Sequence, residues 1–312
     1  MHWKTKSIIQ NLVSSLPTWL SYAMYYWMQR HFGGLRIMNP TSKLIAGVET
    51  WKQIQQVGHN PVDKDFLEVG TGRVPIVPLA FWLMGAKSTV SIDLNPYLKE
   101  ALVIESLKYI VNNKVEIANL FGPLLCSQRF EELVKFTHDS CYSLRTFLEL
   151  CNIRYYAPGD AANTKIDESS IDFHTSYTVF EHIPEKTLID IVIEGNRIVR
   201  KDGLFVHRID YSDHFSHSDK SISAINFLQY NETEWSKYAG NRFMYMNRMR
   251  HDDFEGLFRS CGHKMLAIHA DINDRALELL SSGLFPLNER FIKKSESILA
   301  TTGAWIVSQK SQ

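Results

Sequence analysis

From residue 65 onward the chain alternates short apolar runs with longer stretches of helical period, and no other feature limits the fold so strongly. Runs that read as strands lie near 65–69, 88–93, 153–157, 171–177, 203–209, 263–270 and 298–308. Strands separated by helix-length segments need crossover connections, hence a mainly parallel sheet with helices on both faces. The pattern predicts an α/β, doubly wound, seven-stranded sheet whose last strand runs antiparallel as an edge partner. Two stretches exceed ordinary crossover lengths, about 114–150 and 211–262, and are read as helical insertions that shape a substrate pocket. Upstream, residues 7–31 are crowded with aromatics and broken by Pro17. They read as two helices around a turn, serving as a lid over a pocket or as a packed outer layer, and a third helix is expected at 41–57. The domain plan is an N-terminal helical cap over 1–60 and one α/β domain over 61–312.

Lys plus Arg and Asp plus Glu both number 34, so the net charge is zero. That balance, without a basic stripe, argues against a nucleic-acid partner. There is no apolar run long enough to span a membrane and no N-terminal secretory pattern, so a cytoplasmic protein without a transmembrane segment is expected. Basic residues are sparse around 7–31, which leaves only weak peripheral membrane contact there. Cys126, Cys141, Cys151 and Cys261 form no CxxC pair and read as buried thiols rather than zinc ligands. Nothing in the sequence sets the oligomeric state.

The stretch DFLEVGTGRVPIVP, 65–78, ends an apolar strand in Glu68, Gly70, Thr71 and Gly72. Two glycines there allow positive φ and close backbone approach to a ligand, at the turn where open parallel sheets meet a cofactor. A dinucleotide fingerprint needs a third glycine at position 75, which is Pro75. A ligand with a cationic amino-acid part suits this turn better, because Glu68 supplies a carboxylate. The next strand ends in TVSIDLNP, where Asp93, followed by Leu94, is placed to accept hydrogen bonds from ribose hydroxyls.

This pattern resembles the class I S-adenosylmethionine-dependent methyltransferases, of a bacterial small-molecule or glycan type. Their first motif is an acid, any residue, Gly, any residue, Gly after an apolar strand. YYAPGDAANT, IDFHTSYTVFEHIP and NRIVRKDGLFVHRID resemble the later motifs in the right order. The resemblance implies a Rossmann-like fold and S-adenosyl-L-methionine as cofactor. It also implies cofactor contacts from Asp160 and Ala161, facing the adenine, and from Ser176 on the fourth strand. Val74 and Pro75 depart from members with a third glycine and imply a stiffer turn.

Methyl transfer from a sulfonium is an in-line displacement, and an oxygen acceptor needs a base or a metal. Titratable groups crowd the region where the acceptor belongs: His182 after the fourth strand, and His207, Asp210 and His214 on and after the fifth. They are the candidate catalytic residues, with His214 or His207 as base and Asp210 as orienter; strand alternation puts His207 and Arg208 on opposite sides. With 12 histidines in the chain, core or surface roles compete with catalysis. Ubiquinone-biosynthesis and small-RNA methyltransferases carry a Glu-x-x-Glu-His motif at this place; here Thr178 occupies its first position while Glu181 and His182 remain. Loss of a carboxylate weakens a hard-cation site, so no metal is expected. Arg208, Asn247 and Arg248 are candidate substrate-binding residues. The resulting expectation is O-methylation of a hydroxyl on a small molecule or glycan. The alternatives are a metal-assisted O-methyltransferase, an N-methyltransferase, a nicotinamide oxidoreductase, and a non-catalytic cofactor-binding regulator.

Overall fold

The computed structural model describes residues 1–138 and 143–311. Seven strands form one sheet: β1 (Asp65–Val69), β2 (Ser88–Ile92), β3 (Ile153–Tyr156), β4 (Ile171–Tyr177), β5 (Val199–Asp210), β6 (His263–Ile272) and β7 (Thr301–Lys310), in the order β3-β2-β1-β4-β5-β7-β6. The pairs from β3 across to β5 are parallel, and β7 is antiparallel to both β5 and β6. The expected Rossmann-like α/β sheet is therefore present, with one correction: β7 lies inside the sheet and β6 forms its edge. Strand β5 also begins four residues before the apolar run that marked it.

Thirteen helices are found among the described residues: α1 (Trp3–Ser14), α2 (Thr18–Phe32), α3 (Thr41–Gln56), α4 (Ile76–Leu83), α5 (Glu100–Asn112), α6 (Lys114–Phe121), α7 (Ser127–His138), α8 (Leu144–Leu150), α9 (Glu185–Ile198), α10 (Glu232–Ala239), α11 (His251–Ser260), α12 (Asp274–Ser281) and α13 (Glu296–Ala300). Pro17 separates α1 from α2, since its ring fixes φ and removes a helix donor. None of the helices is long and apolar enough to cross a membrane. Cys126, Cys151 and Cys261 are free thiols, and Cys141 lies outside the described residues.

Side chains alternate across the sheet. Phe66 joins Leu44, Trp51 and Phe81 under α3 and α4, whereas Leu67 and Val69 join Leu188, Val192 and Phe258 under α9 and α11. Every residue of α4 is buried. Helix α3 approaches it so closely that a Cβ on Gly47 would stand 2.4 Å from that of Ala80. A third cluster, with Trp3, Phe215, Phe227 and Trp235, fastens α1 to the 211–262 segment. There the Trp3 amide donates to Asp219 at 2.8 Å and Ser7 to the Tyr238 carbonyl at 2.8 Å. Arg250 is fully buried and donates to the carbonyls of Tyr211, Leu299 and Thr301, tying the same segment to the start of β7.

Three histidines lie inside the second layer. His174 on β4 has no hydrogen-bond partner on either ring nitrogen, His207 on β5 meets the Ser176 hydroxyl at 2.8 Å, and His263 on β6 meets Ser308 and Asn196. Burial pushes His174 down to about 3 and His263 to about 4, and holds His207 well below the histidine range. Each stays neutral in the fold but takes a proton once unfolded, so the unfolded state binds more protons below about pH 6.5 and stability is lost as pH falls through that range. Each such group adds a slope of about 1.4 kcal/mol per pH unit. Urea midpoints measured at pH 7.5 and pH 5 should therefore separate widely for the wild type. His174→Leu, which forfeits no hydrogen bond, should narrow the separation; an unchanged separation would show that this histidine is not held neutral.

Candidate active site

The loop after β1 is shaped by two left-handed glycines, Gly70 at φ +87° and Gly72 at φ +68°. The Gly70 amide donates to the Ile92 carbonyl at 2.8 Å, which carries the chain one residue past the β1–β2 ladder. The Gly72 amide then donates to Asp93 Oδ2 at 2.8 Å, and the Asn95 amide to Asp93 Oδ1 at 3.0 Å. Asp93 thus organises its own loop and that of β1 while lining the crevice between them. Burial raises its pKa, and the two amide hydrogen bonds oppose that rise. The bare Cα of Gly70 is required by packing, because a Cβ there would stand 2.5 Å from a Val179 methyl carbon.

Thr71 and Glu68 turn away from the crevice. Thr71 bonds the Ser91 hydroxyl, and Ser91 donates to the buried Glu68 carboxylate. Lys43 of α3 lies on the same side, with Nζ 3.6 Å from where a Gly72 Cβ would be. Burial pushes Glu68 up to about 7 and Lys43 down, each against the pull of the other. Direct contact between Glu68 and a ligand in the crevice is therefore corrected to support of the loop from behind. Lys43 carried no sequence signal, since it belongs to a helix before the sheet begins.

The crevice is a cavity of about 740 Å³. One end carries Gly70, Gly72, Asp93, Leu94, Asp160 and Ala161, where the loops after β1, β2 and β3 meet. Asp160 is exposed there and accepts from the Ala162 amide at 2.9 Å. Tyr22, Tyr25 and Gln29 of α2 face in from above, and Arg242, Phe243 and Tyr245 come from the 211–262 segment. Tyr25 stacks on Phe243 with centroids 4.0 Å apart, and Tyr22 donates to Asn95 Oδ1 at 3.2 Å. Helix α2 thus forms one wall of the cavity, and α1 packs against the 211–262 segment. The 114–150 segment contributes no lining residue among those described; Phe121, Leu133 and Phe147 pack it into the core instead. Two guanidinium groups also line the cavity: Arg73 over the Tyr26 and Tyr97 rings, and Arg242 over Tyr22. No motif in the sequence marks Arg73 or Arg242, whereas Tyr22, Tyr25 and Gln29 follow the three- and four-residue spacing of one helix face.

Beyond Val179 the cavity meets the turn after β4. Thr178 is held at φ +53°, and Phe180, Glu181 and His182 form a single tight turn. His182 lines the cavity, and its Nδ1 stands 2.8 Å from the Tyr245 carbonyl. A carbonyl only accepts, so Nδ1 carries the proton and Nε2 keeps a lone pair. Desolvation in the cavity wall, then the neighbouring His214, lower His182 to about 4, so it is neutral at physiological pH while its outer edge stays exposed. His214 lies behind it with ring centroids 4.8 Å apart, and its Nε2 is 3.4 Å from Asp210 Oδ2. Burial alone would raise Asp210; the His214 and Ser212 hydrogen bonds outweigh it and hold the carboxyl at about 2. Glu181 is 2% exposed, and neither of its carboxylate oxygens has a hydrogen-bond partner.

Of the sequence candidates, Gly70, Gly72, Asp93, Leu94, Asp160, Ala161 and His182 line the cavity, with Asp210 and His214 next to His182. The remainder are corrected. His207 is fully buried, its ring stacked on Phe180, and the hydroxyl of Ser176 is committed to it. Arg208 pairs with Asp271 across the sheet and lies over Trp305. Arg248 is buried against the Phe227 and Tyr230 carbonyls and Glu232. Asn247 clamps the β4 turn instead of a substrate: its amide donates to the Glu181 carbonyl at 2.9 Å, and its side chain donates to those of Phe180 and Ile183 at 2.9 Å each.

No family model matches the chain, and no curated protein does. Among solved structures it is similar to a geranyl diphosphate C-methyltransferase of Streptomyces coelicolor at 11% identity and TM-score 0.46, over 87% of this chain and 85% of that one. It is also similar to a phosphoethanolamine N-methyltransferase of Haemonchus contortus at 12% identity and TM-score 0.44, over 85% of this chain and 52% of that one. A third is a methyltransferase of Methanosarcina mazei at 13% identity and TM-score 0.44, over 82% of this chain and 96% of that one.

Proposed function

We propose that the protein is an S-adenosylmethionine-dependent methyltransferase acting on a hydroxyl of a small molecule or glycan. The observation that carries this reading is the crevice at the β1, β2 and β3 loops, where Asp93 stands beside two left-handed glycines at the point at which the strand order reverses. The residues present fit an adenosine with an amino-acid tail. Asp93 keeps accepting capacity on both oxygens beyond its two amide bonds and takes the ribose hydroxyls. Asp160 and the Ala161 backbone face the base. Arg73 is placed for the tail carboxylate, whereas a pyrophosphate lacks the third glycine at Pro75. When bound, the cofactor supplies an electrophilic methyl group; the chain's task is to align an acceptor with it and keep water out.

The acceptor belongs at the far end, under α2 and beside His182. Tyr22, Tyr25, Phe243 and Tyr245 offer ring faces to an aromatic or sugar, and Arg242 meets a polar or anionic edge. The His182, His214 and Asp210 group receives the acceptor proton, with Asp210 kept ionised so that positive charge arriving on His214 is stabilised. A hydroxyl acceptor is favoured because an amine needs no such apparatus.

Two measurements test this reading. Isothermal titration should show S-adenosylmethionine binding to the wild-type chain and no NADH binding, and Asp93→Ala should weaken the cofactor about ten- to a hundredfold, the span of charged hydrogen bonds. Equal affinity in Asp93→Ala would remove Asp93 from the cofactor site. Once an acceptor is in hand, Asp210→Asn and His214→Ala should each lower kcat by about 10²- to 10⁴-fold while cofactor affinity holds within about twofold. Unaltered turnover in both would rule out the proton acceptor assigned here.

A further inference from the structure

The turn after β4 and the loop after β5 bring Glu181, His182 and His214 together, so that one donor atom from each lies within 4.8 Å of the other two. We infer that these three side chains form a binding site for one divalent cation of the zinc, manganese or iron class, at the acceptor end of the cavity. The sequence pattern argued against a metal because Thr178 stands where related motifs have a carboxylate. The fold supplies the missing donor from elsewhere, through His214, 32 positions after His182.

Three independent features point to a cation. Glu181 is buried almost completely, and neither carboxylate oxygen is paired with a side-chain donor. Burying an unpaired carboxylate is costly, and bound positive charge removes that cost. His182 has the arrangement of a ligating imidazole: Nδ1–H is fixed on the Tyr245 carbonyl, a contact that orients the ring and leaves the Nε2 lone pair free. His214 Nε2 is buried and faces Asp210 Oδ2 at 3.4 Å, so a carboxylate stands behind this imidazole as it does behind many metal-bound histidines. The backbone that carries Glu181 and His182 is clamped by Asn247 through three hydrogen bonds. Two imidazoles with one carboxylate favour borderline transition metals over calcium or magnesium, which prefer oxygen shells.

The cation's role, though not its binding, rests on the proposed function. A cation held by Glu181, His182 and His214 would supply Lewis acidity to an acceptor hydroxyl, and Asp210 is the carboxylate placed to take its proton. The oxygen then forms its bond to the methyl carbon as the carbon–sulfur bond breaks, and that electron pair returns to sulfur, leaving S-adenosylhomocysteine and the methyl ether. With the cation bound, His214 acts as a ligand and Asp210 becomes the proton acceptor.

The test is calorimetric titration of the chelator-treated full chain with Zn²⁺ and with Mn²⁺, alongside a separate S-adenosylmethionine titration. The expected result is one saturable equivalent of at least one ion, weakened at least about tenfold by Glu181→Gln and likewise by His214→Ala. Circular dichroism and the retained cofactor affinity of each variant establish that it is folded. Absence of a saturable equivalent in the wild type, or wild-type affinity in both variants, would overturn the site. Cation binding without cofactor binding would uphold the site and reject the methyltransferase reading, so the two failures are distinguishable.

Discussion

The hydrogen bond from the Gly72 amide to Asp93 Oδ2 joins the loop after β1 to the end of β2, and the cavity is built around it. The bond requires the chain to turn back on itself within three residues of the strand, which the positive φ values of Gly70 and Gly72 allow and an ordinary residue resists. Because Gly70 lacks a side chain, Val179 can pack directly on it, and the β4 turn closes down beside the β1 loop. From that closure follow the position of His182 on the cavity wall and of Glu181 beneath it.

The two ends of the cavity are made in different ways. The end at β1, β2 and β3 is local, formed by loops that directly follow their strands. The other end, proposed to take the acceptor, is assembled from segments far apart in sequence, with α2, the 242–245 stretch and the β4 turn as its walls. Asn247 and the Tyr245 carbonyl hold that turn, so the 211–262 segment orients Glu181 and His182 as well as enclosing the cavity. Trp3 and Arg250 anchor this segment to α1 and to β7 respectively, which makes a rigid wall out of a long connection.

The sheet was legible because strand and helix periods differ and the glycine pair marks the first turn. The place of β7 was not, since an apolar run does not state its neighbours. Alternation along β5 assigned His207 and Arg208 to opposite sides but could not say which side was roofed; α9 and α11 cover the His207 side. Glu68 looked like a ligand contact because a carboxylate beside a glycine turn suggests one, yet its place within β1 directs it toward Ser91 and Lys43. Asn247 and Arg248 have the composition of a binding motif but serve backbone carbonyls, which no spacing rule reveals. His214 and Glu181 meet only through the β4–β5 pairing, so their association was invisible before the fold.

On the proposed function, the crevice at Gly70, Gly72 and Asp93 receives a sulfonium nucleoside. A crystal structure of the chain with S-adenosylhomocysteine tests it most directly. Ligand density is expected with the ribose on the Asp93 carboxylate, the base beside Asp160 and Ala161, and the sulfur directed along the cavity toward His182. Density elsewhere, or a crevice that stays closed at saturating ligand, would contradict it.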